Sequence, residues 1–413
     1  MKIVYLHDNF PPEKYGGAAG ICFDMAEYFY NSGNEVIVIT TTKDKIDEGV
    51  ELYKGIRVYK IYSNYHERWR SYLSLYNPAT VSKIDKILKE EIPDVVHAHN
   101  IHYHLSYYAL KLAKRYSKKV FLTAHDVGLI NLGKAYPVDP ATVSFNNIKY
   151  NIYFWTQLRG YKWRFNPFRS IFIKYLLQNV DKIFSVSNAL KEVLESRGIK
   201  NIETIHNGMS SNGWNIPQEK ISSFKEEHNL DNKKILLLSG RISNAKGGIQ
   251  ILECLSILNK EFTNLVLVIL SKNDGYVDRL LDGNNIKKAT NNIYYPGWSE
   301  GEKLKLFYMS CDIVVVPSVC FDSFPNVNLE AMLASKPIVA TCFGGSKEII
   351  LDNKTGFIDN PNDILSFANK IRILLKNNEM ADKFGEIGHN LVIDKFSLKN
   401  QMDMINFWYR EDK

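Results

Sequence analysis

Two short stretches of this chain combine the residue types that hold a diphosphate. The first, Gly240-Arg241-Ile-Ser-Asn-Ala-Lys246-Gly247, follows an apolar strand pattern and precedes a helical one. In an open α/β sheet, ligands bind beyond the carboxyl ends of the strands, so such a loop lies where a ligand would be. Arg241 offers a planar fork of donors and Lys246 a point charge, a pair suited to neutralising a diphosphate. A plain strand-to-helix turn with solvated cations fits the same residues. The second stretch, Pro317 to Met332, again runs from strand through loop into helix. A helix starting near Asn326 turns its first backbone amides and positive dipole end toward the distal phosphate of the same ligand. Asp322 sits in the loop before that helix and Glu330 roughly one turn inside it. Two carboxylates beside a phosphate are electrostatically odd unless they accept hydrogen bonds, and sugar and ribose hydroxyls are the obvious donors. On spacing alone, a loop cap at Asp322 and a solvated helix residue at Glu330 fit as well.

Those loops need parallel strands to carry them. Strand-like and helix-like segments alternate in each half, the pattern that forces parallel pairing through crossover helices. The first half opens with a strand at Ile3–Leu6, a loop holding Gly16-Gly17, a helix over 18–31 and a strand at Glu35–Thr40. Further strands are expected at Asp94–His99, Lys119–Ala124, Lys182–Val186 and Ile202–His206, with Ser187-Asn188 placed to cap the helix after the third of these. From Ser210 to Asp231 the periodicity gives way to polar sequence, read here as the interdomain linker. A second set of strands follows at Lys234–Ser239, Leu265–Leu270, Ile293–Tyr295, Ile313–Pro317 and Pro337–Ala340. Ser299-x-x-Glu302 has the form of a capping box. Ser397–Arg410 reads as an amphipathic helix that docks on the first domain.

The length of 413 residues suits two α/β domains of ~200 residues each. Hydrophobic residues make up 45% and charged residues 23%, close to a soluble globular average, so disorder and fibrous repeats are excluded. No apolar stretch approaches ~18 residues, and the N-terminus enters a strand pattern without a basic leader, so the expected location is cytoplasmic. Five scattered cysteines, with no Cys-x-x-Cys pair, read as small buried hydrophobes in a reducing compartment. The net charge of +7 comes from one half: residues 1–200 hold 28 Lys/Arg against 19 Asp/Glu, and residues 201–413 hold 24 against 26. A basic first half points to an anionic partner.

One stretch concentrates that charge. Between Lys149 and Lys174 there is no acidic residue, and Arg159, Lys162, Arg164 and Arg169 are interleaved with aromatics such as Trp155, Trp163, Phe168 and Phe172. Such a mixture suits an anionic membrane surface, with the chain peripheral at its inner face, and fits equally an aromatic segment packed on its own domain. No nucleic-acid-binding module accompanies it, so nucleic acid is not an expected partner.

Taken in order, Gly240-Arg241 with Lys246, the run from Asp322 to Glu330, Gly344-Gly345-Ser-Lys-Glu348 and Thr355-Gly356-Phe357 resemble the signature of family 4 retaining glycosyltransferases of the GT-B fold. The likeness is close over residues 234–360, and the first half is similar in outline through Gly16-Gly17, Asp94-Val-Val-His97-Ala-His99 and Thr123-Ala-His125-Asp126. The resemblance implies an α/β fold of two Rossmann-like domains facing a central cleft. Residues 1–208 would form an acceptor-binding domain, 209–395 a nucleotide-sugar-binding domain, and 396–413 a helix returning to the first. It implies further that Arg241 and Lys246 bind the donor diphosphate and that the backbone over Phe324, Pro325, Asn326 and Val327 meets the distal phosphate. Glu330 would hold the ribose hydroxyls and Asp322 the transferred sugar. Gly16 and Gly17 would approach the phosphate from the other domain, His125 would lie beside the donor sugar, and Gly297-Trp298 would lie near the base. His125, Asp322, Arg241 and Lys246 are then the expected catalytic residues. One departure concerns Asp322, where the family usually has Glu; the shorter side chain bears on which donor sugar is taken. His97 and His99, at a strand end, are read as packing or capping residues.

Breaking a sugar–phosphate bond builds negative charge on the departing diphosphate, so stabilising the leaving group is the main task. Arg241, Lys246 and a helix start supply that without an obligatory metal or other cofactor, and the sequence has no Asp-x-Asp motif. The expected partners are a nucleotide-sugar donor and a glycan or lipid-linked acceptor, with retention at the anomeric carbon implied by the resemblance and a place in surface polysaccharide or glycoconjugate synthesis. A nucleotide-sugar 2-epimerase and a non-catalytic partner subunit of the same fold are the alternatives.

Overall fold

Short runs of Val, Ile and Leu become strands buried on both faces, as parallel sheets require. The computed structural model describes residues 1–12, 16–139, 148–272, 275–283 and 292–411, without the side chains of 281–283. In the first half the strands are β1 (Lys2–Leu6), β2 (Glu35–Thr42), β3 (Gly49–Tyr53), β4 (Ile56–Tyr62), β5 (Val95–Ala98) and β6 (Lys119–Ala124). A two-residue pair follows, β7 (Tyr136–Pro137) and β8 (Tyr150–Asn151), then β9 (Lys182–Ser185) and β10 (Ile202–Thr204). The second half contributes β11 (Lys234–Ser239), β12 (Leu265–Leu270), β13 (Ile293–Tyr294), β14 (Ile313–Val316), β15 (Ile338–Thr341) and β16 (Gly356–Asp359).

Two large sheets result. The first is 8-stranded in the order β10-β9-β6-β5-β1-β2-β4-β3, and the second 6-stranded in the order β13-β12-β11-β14-β15-β16. Every pairing in them is parallel except β3 with β4. That antiparallel hairpin turns through Lys54 and Gly55, both with positive φ (48° and 84°), the conformation a two-residue turn needs to match strand twist. Each sheet buries an aliphatic and aromatic core, with Tyr5, Phe29, Phe121 and Phe184 in the first and Leu236, Leu255, Leu267 and Phe367 in the second.

Contacts gather the chain into two units: Met1–Gly133 with Ile152–Asn207 and Leu398–Lys413, and Lys134–Asn151 with Gly208–Ser397. The C-terminal helix, Leu398–Arg410, completes the first core, since Met402, Ile405 and Tyr409 are buried there and Tyr409 packs 5.1 Å from Phe29. Ser187 caps the helix Asn188–Glu195, accepting from the Leu190 amide at 3.1 Å.

Three expectations differ from what is found. Residues 134–139 and 148–151 lie in the first half of the chain but pack within the second unit. The supposed linker contains a helix, Gln218–Glu227, whose Ile221 and Phe224 are buried, Phe224 lying 4.8 Å from Phe307. Two apolar residues on an otherwise polar helix leave little periodic signal. The capping box at Ser299 does not form, because the helix begins at Gly301 with Glu300 in the cap position and no side-chain cap.

No helix among the described residues is long and apolar enough to cross a membrane. The basic aromatic stretch forms the helices Phe154–Tyr161 and Arg169–Leu177. Nothing on the first of these helices is buried, and Trp163, between them, is 96% exposed. Arg169 departs from the expectation of a surface cation: it is buried and donates to Gly128 O at 2.7 Å.

Candidate active site

In the second unit the site is built on the carboxyl ends of β11 and β14, neighbours in the sheet. Gly240, with φ of 100°, turns the chain out of β11 into Arg241, and Ser243 caps a 3-10 turn over Asn244–Lys246. Gly247 then has φ of 74°, and a Cβ there would lie 1.9 Å from Pro317 O. Only glycine permits that approach, which lets the loop after β14 press on the loop after β11. The amides of Val319 and Cys320 both donate to Ala245 O, at 3.1 and 3.3 Å.

This join brings two expected site residues into contact. Lys246 Nζ forms an ion pair with the Asp322 carboxylate, which also accepts from Ser318 Oγ at 2.9 Å. Burial is the largest single influence and opposes both charges, but the partner's field, the hydrogen bond between them and the neighbouring groups together outweigh it, so the lysine is raised and the aspartate lowered from their ordinary values, and both stay ionised at neutral pH. Arg241 is exposed and near enough for its charge to oppose that of Lys246.

Asp322 is held by its backbone as well. It bridges to Gly344, and Gly345 N donates to Asp322 O at 2.8 Å. Gly344 has φ of 90°, and a Cβ there would lie 2.1 Å from the same carbonyl. Past Asp322, Phe324 and Pro325 are buried and the helix Asn326–Leu333 begins without a side-chain cap. Its start therefore directs backbone amides and dipole to the loop that carries Asp322. Val327 lies in its first turn, and Glu330, one turn further, accepts from the hydroxyl of buried Tyr308. Burial raises the Glu330 pKa, and the Tyr308 hydrogen bond opposes that rise.

Gly297 and Trp298 stand apart from this group. They follow β13, an edge strand two places from β11. Gly297 has φ of 89° and open space where a Cβ would be, and Trp298 is 45% exposed with its ring N–H donating to Glu300 at 2.6 Å.

Sequence reasoning missed a further contribution. The β7–β8 pair reaches the same loops: Phe321 N donates to Ala135 O at 2.6 Å, Gly344 N donates to the Tyr150 hydroxyl at 2.9 Å, and the Tyr150 ring meets Phe321 edge-on at 4.7 Å. Lys134 adds its charge to those holding Asp322 ionised. Nothing in the pattern of residues 134–151 distinguishes them from an ordinary loop.

In the first unit, Gly16 and Gly17 are exposed at the start of the helix Gly17–Asn31. Gly16 has extended backbone (φ −163°), and a Cβ there would meet nothing within 4 Å among the described residues. His125 follows β6, and its Nε2 lies 2.9 Å from Nδ1 of His99, whose own Nε2 is buried without a hydrogen-bond partner. One of the two facing nitrogens donates and the other accepts, so the tautomers of His99 and His125 are linked. Burial lowers the His125 pKa to about 4 against the field of Asp126, so the ring is neutral at neutral pH. His97 is buried between the Tyr409 hydroxyl, 2.6 Å away, and Thr123 Oγ1, 2.8 Å away, which makes it a packed structural residue.

Comparison with known proteins agrees with this architecture. Residues 15–212 match the sequence model of Glycosyltransferase Family 4, and residues 220–391 match that of Glycosyl transferases group 1. An uncharacterised glycosyltransferase of Methanocaldococcus jannaschii is 26% identical over 378 residues, covering 88% of this chain and 87% of the relative. The lipopolysaccharide 1,2-N-acetylglucosaminetransferase of Salmonella typhimurium is 28% identical over 237 residues, 54% of this chain and 61% of the relative. Among solved structures, HepE of Anabaena in complex with UDP-glucose superposes with a TM-score of 0.72 at 18% identity, covering 98% of each chain.

Proposed function

The chain belongs to the group 1 and family 4 glycosyltransferases and has their GT-B fold, and from that premise we propose that it moves a sugar from a nucleoside-diphosphate donor to a glycan or lipid-linked acceptor with retention of configuration. The observation that carries this reading is the join of the two loops beyond β11 and β14, which sets Lys246 and Asp322 in contact ahead of the start of the helix Asn326–Leu333. An ammonium has three donors, so Lys246 can keep Asp322 and still reach a phosphate oxygen. Arg241 and the helix start meet the rest of the diphosphate charge as the bond to the sugar breaks. With three positive sources at the leaving group, an added divalent cation is not required.

The remaining roles follow the chemistry of each group. Asp322, ionised, accepts from a hydroxyl of the transferred sugar, and Glu330 accepts from the ribose. Gly297 and Trp298 flank the base. In the first unit, the resemblance to family 4 glycosyltransferases assigns Gly16 and Gly17 to the phosphate and His125 to the donor sugar. For the acceptor, Trp155, Trp163 and Phe172, exposed among Arg159, Lys162 and Lys174, suit the anionic inner face of a membrane. A donor in complex with a structural relative, UDP-glucose, makes uridine sugars the first to try.

The test is to incubate the chain with UDP-, GDP- and ADP-sugars in excess EDTA, with and without lipid-linked acceptor, and follow nucleoside diphosphate and sugar by NMR. Diphosphate release above background, with an α-linked product from an α-donor, is expected. An epimerised sugar without transfer, or turnover abolished by EDTA, would contradict the reading in its reaction class or in its metal independence respectively.

A further inference from the structure

The donor-side loops do not fix Asp322 by themselves. Phe321 N, one residue before it, is held by Ala135 O, and Gly344, which bridges to Asp322 from the facing loop, has its amide held by the Tyr150 hydroxyl. The holding groups, Ala135 directly before β7 and Tyr150 in β8, flank and form the short β7–β8 pair, which comes from between β6 and β9 in the sequence and packs within the second unit. The Tyr150 ring closes the arrangement edge-on against Phe321. A carboxylate that must select among sugar hydroxyls needs its position fixed within a fraction of an ångström, and here a segment outside the nucleotide-binding βαβ units adds to the contacts from Lys246, Ser318 and Gly345 that fix it.

We propose that Tyr150 is a positioning residue for recognition of the transferred sugar, acting through Gly344 and Phe321 on the backbone of Asp322. This rests on the assignment of Asp322 to the sugar. The backbone that carries Lys246 is fixed by other contacts, chiefly Gly247 on Pro317 and Ala245 O on Val319 and Cys320, so grip on the diphosphate depends less on Tyr150 than the placing of Asp322 does. The two functions therefore separate in a single variant.

Tyr150→Phe keeps the ring against Phe321 and removes the hydroxyl that accepts from Gly344 N; Tyr150→Ala removes both. The measurements are calorimetric binding of UDP, GDP and ADP, and kcat/KM for pairs of nucleotide sugars epimeric at one hydroxyl. For Tyr150→Phe, binding of the accepted nucleoside diphosphate should stay within about twofold of wild type. The kcat/KM for the preferred sugar should fall by about three- to tenfold, the range expected for one hydrogen bond, and the preference between epimers should narrow. Tyr150→Ala should lose more of both. Unchanged epimer preference in both variants would overturn the proposal, and a parallel loss of nucleoside-diphosphate affinity would reduce Tyr150 to a structural residue. If wild type binds no nucleoside diphosphate, the donor site itself is wrong and the inference falls with it, a result distinct from either of these.

Discussion

Gly16 and Gly247 occupy the two loops assigned to the donor phosphates, yet they are glycine for different reasons. Gly247 has φ of 74° and sits against Pro317 O, so Gly247→Ala should destabilise the second unit by about 2–4 kcal/mol, from left-handed backbone strain and the forced separation of the two loops. Gly16 has neither constraint, so Gly16→Ala should leave stability within about 0.5 kcal/mol while weakening donor binding. Urea unfolding and donor titration of both variants would separate the cases; equal stability losses would remove the distinction. Lys246, Asp322 and Glu330 stand out in the sequence as charged residues in strand-loop-helix segments, but spacing alone fits solvated or capping residues as well, and it is the ordered resemblance to family 4 glycosyltransferases that singles them out. Tyr150 is not legible, since its role depends on a chain crossing between units that no local pattern encodes.

At the scale of elements, the carboxyl ends of β1, β5 and β6 gather buried histidines. Burial lowers His7 and His97 to about 3 and His102 and His125 to about 4, and His99 well below its ordinary value. These groups are neutral when folded, whereas the unfolded chain takes up their protons below about pH 6.5, so the stability they contribute is present above that pH and is lost as pH falls toward 4. Each contributes up to about 1.4 kcal/mol per pH unit in that window, so the urea midpoint should drop steeply from pH 6.5 to 4.5. A flat profile there would mean that the cluster is hydrated and ordinary. The strands beneath it are readable as apolar runs, with ends differing by a residue or two. The β3–β4 hairpin is not, because Lys-Gly is a weak turn signal and Val50 and Leu52 point to solvent, 58% and 76% exposed.

At the scale of the whole molecule, the positive charge of the first half is concentrated beside exposed aromatic surface, with Trp163, Phe168, Ile171 and Phe172 all more than half exposed. Each nearby cation contributes about 1 kcal/mol at an anionic surface, so the chain should sediment with phosphatidylglycerol vesicles at low salt and be released at high salt. Trp163→Ala with Lys162→Glu should abolish this without altering donor turnover in solution, and failure of wild type to bind the vesicles would leave the patch as exposed protein surface alone. Transfer by this chain requires Lys246 to hold the departing diphosphate, and calorimetric binding of UDP, GDP and ADP to wild type and to Lys246→Ala tests that most directly. Loss of a charge-assisted contact of about 1.5–3 kcal/mol predicts affinity weaker by about 10- to 150-fold with the fold intact. Nucleoside diphosphate bound equally well by the folded variant would contradict it.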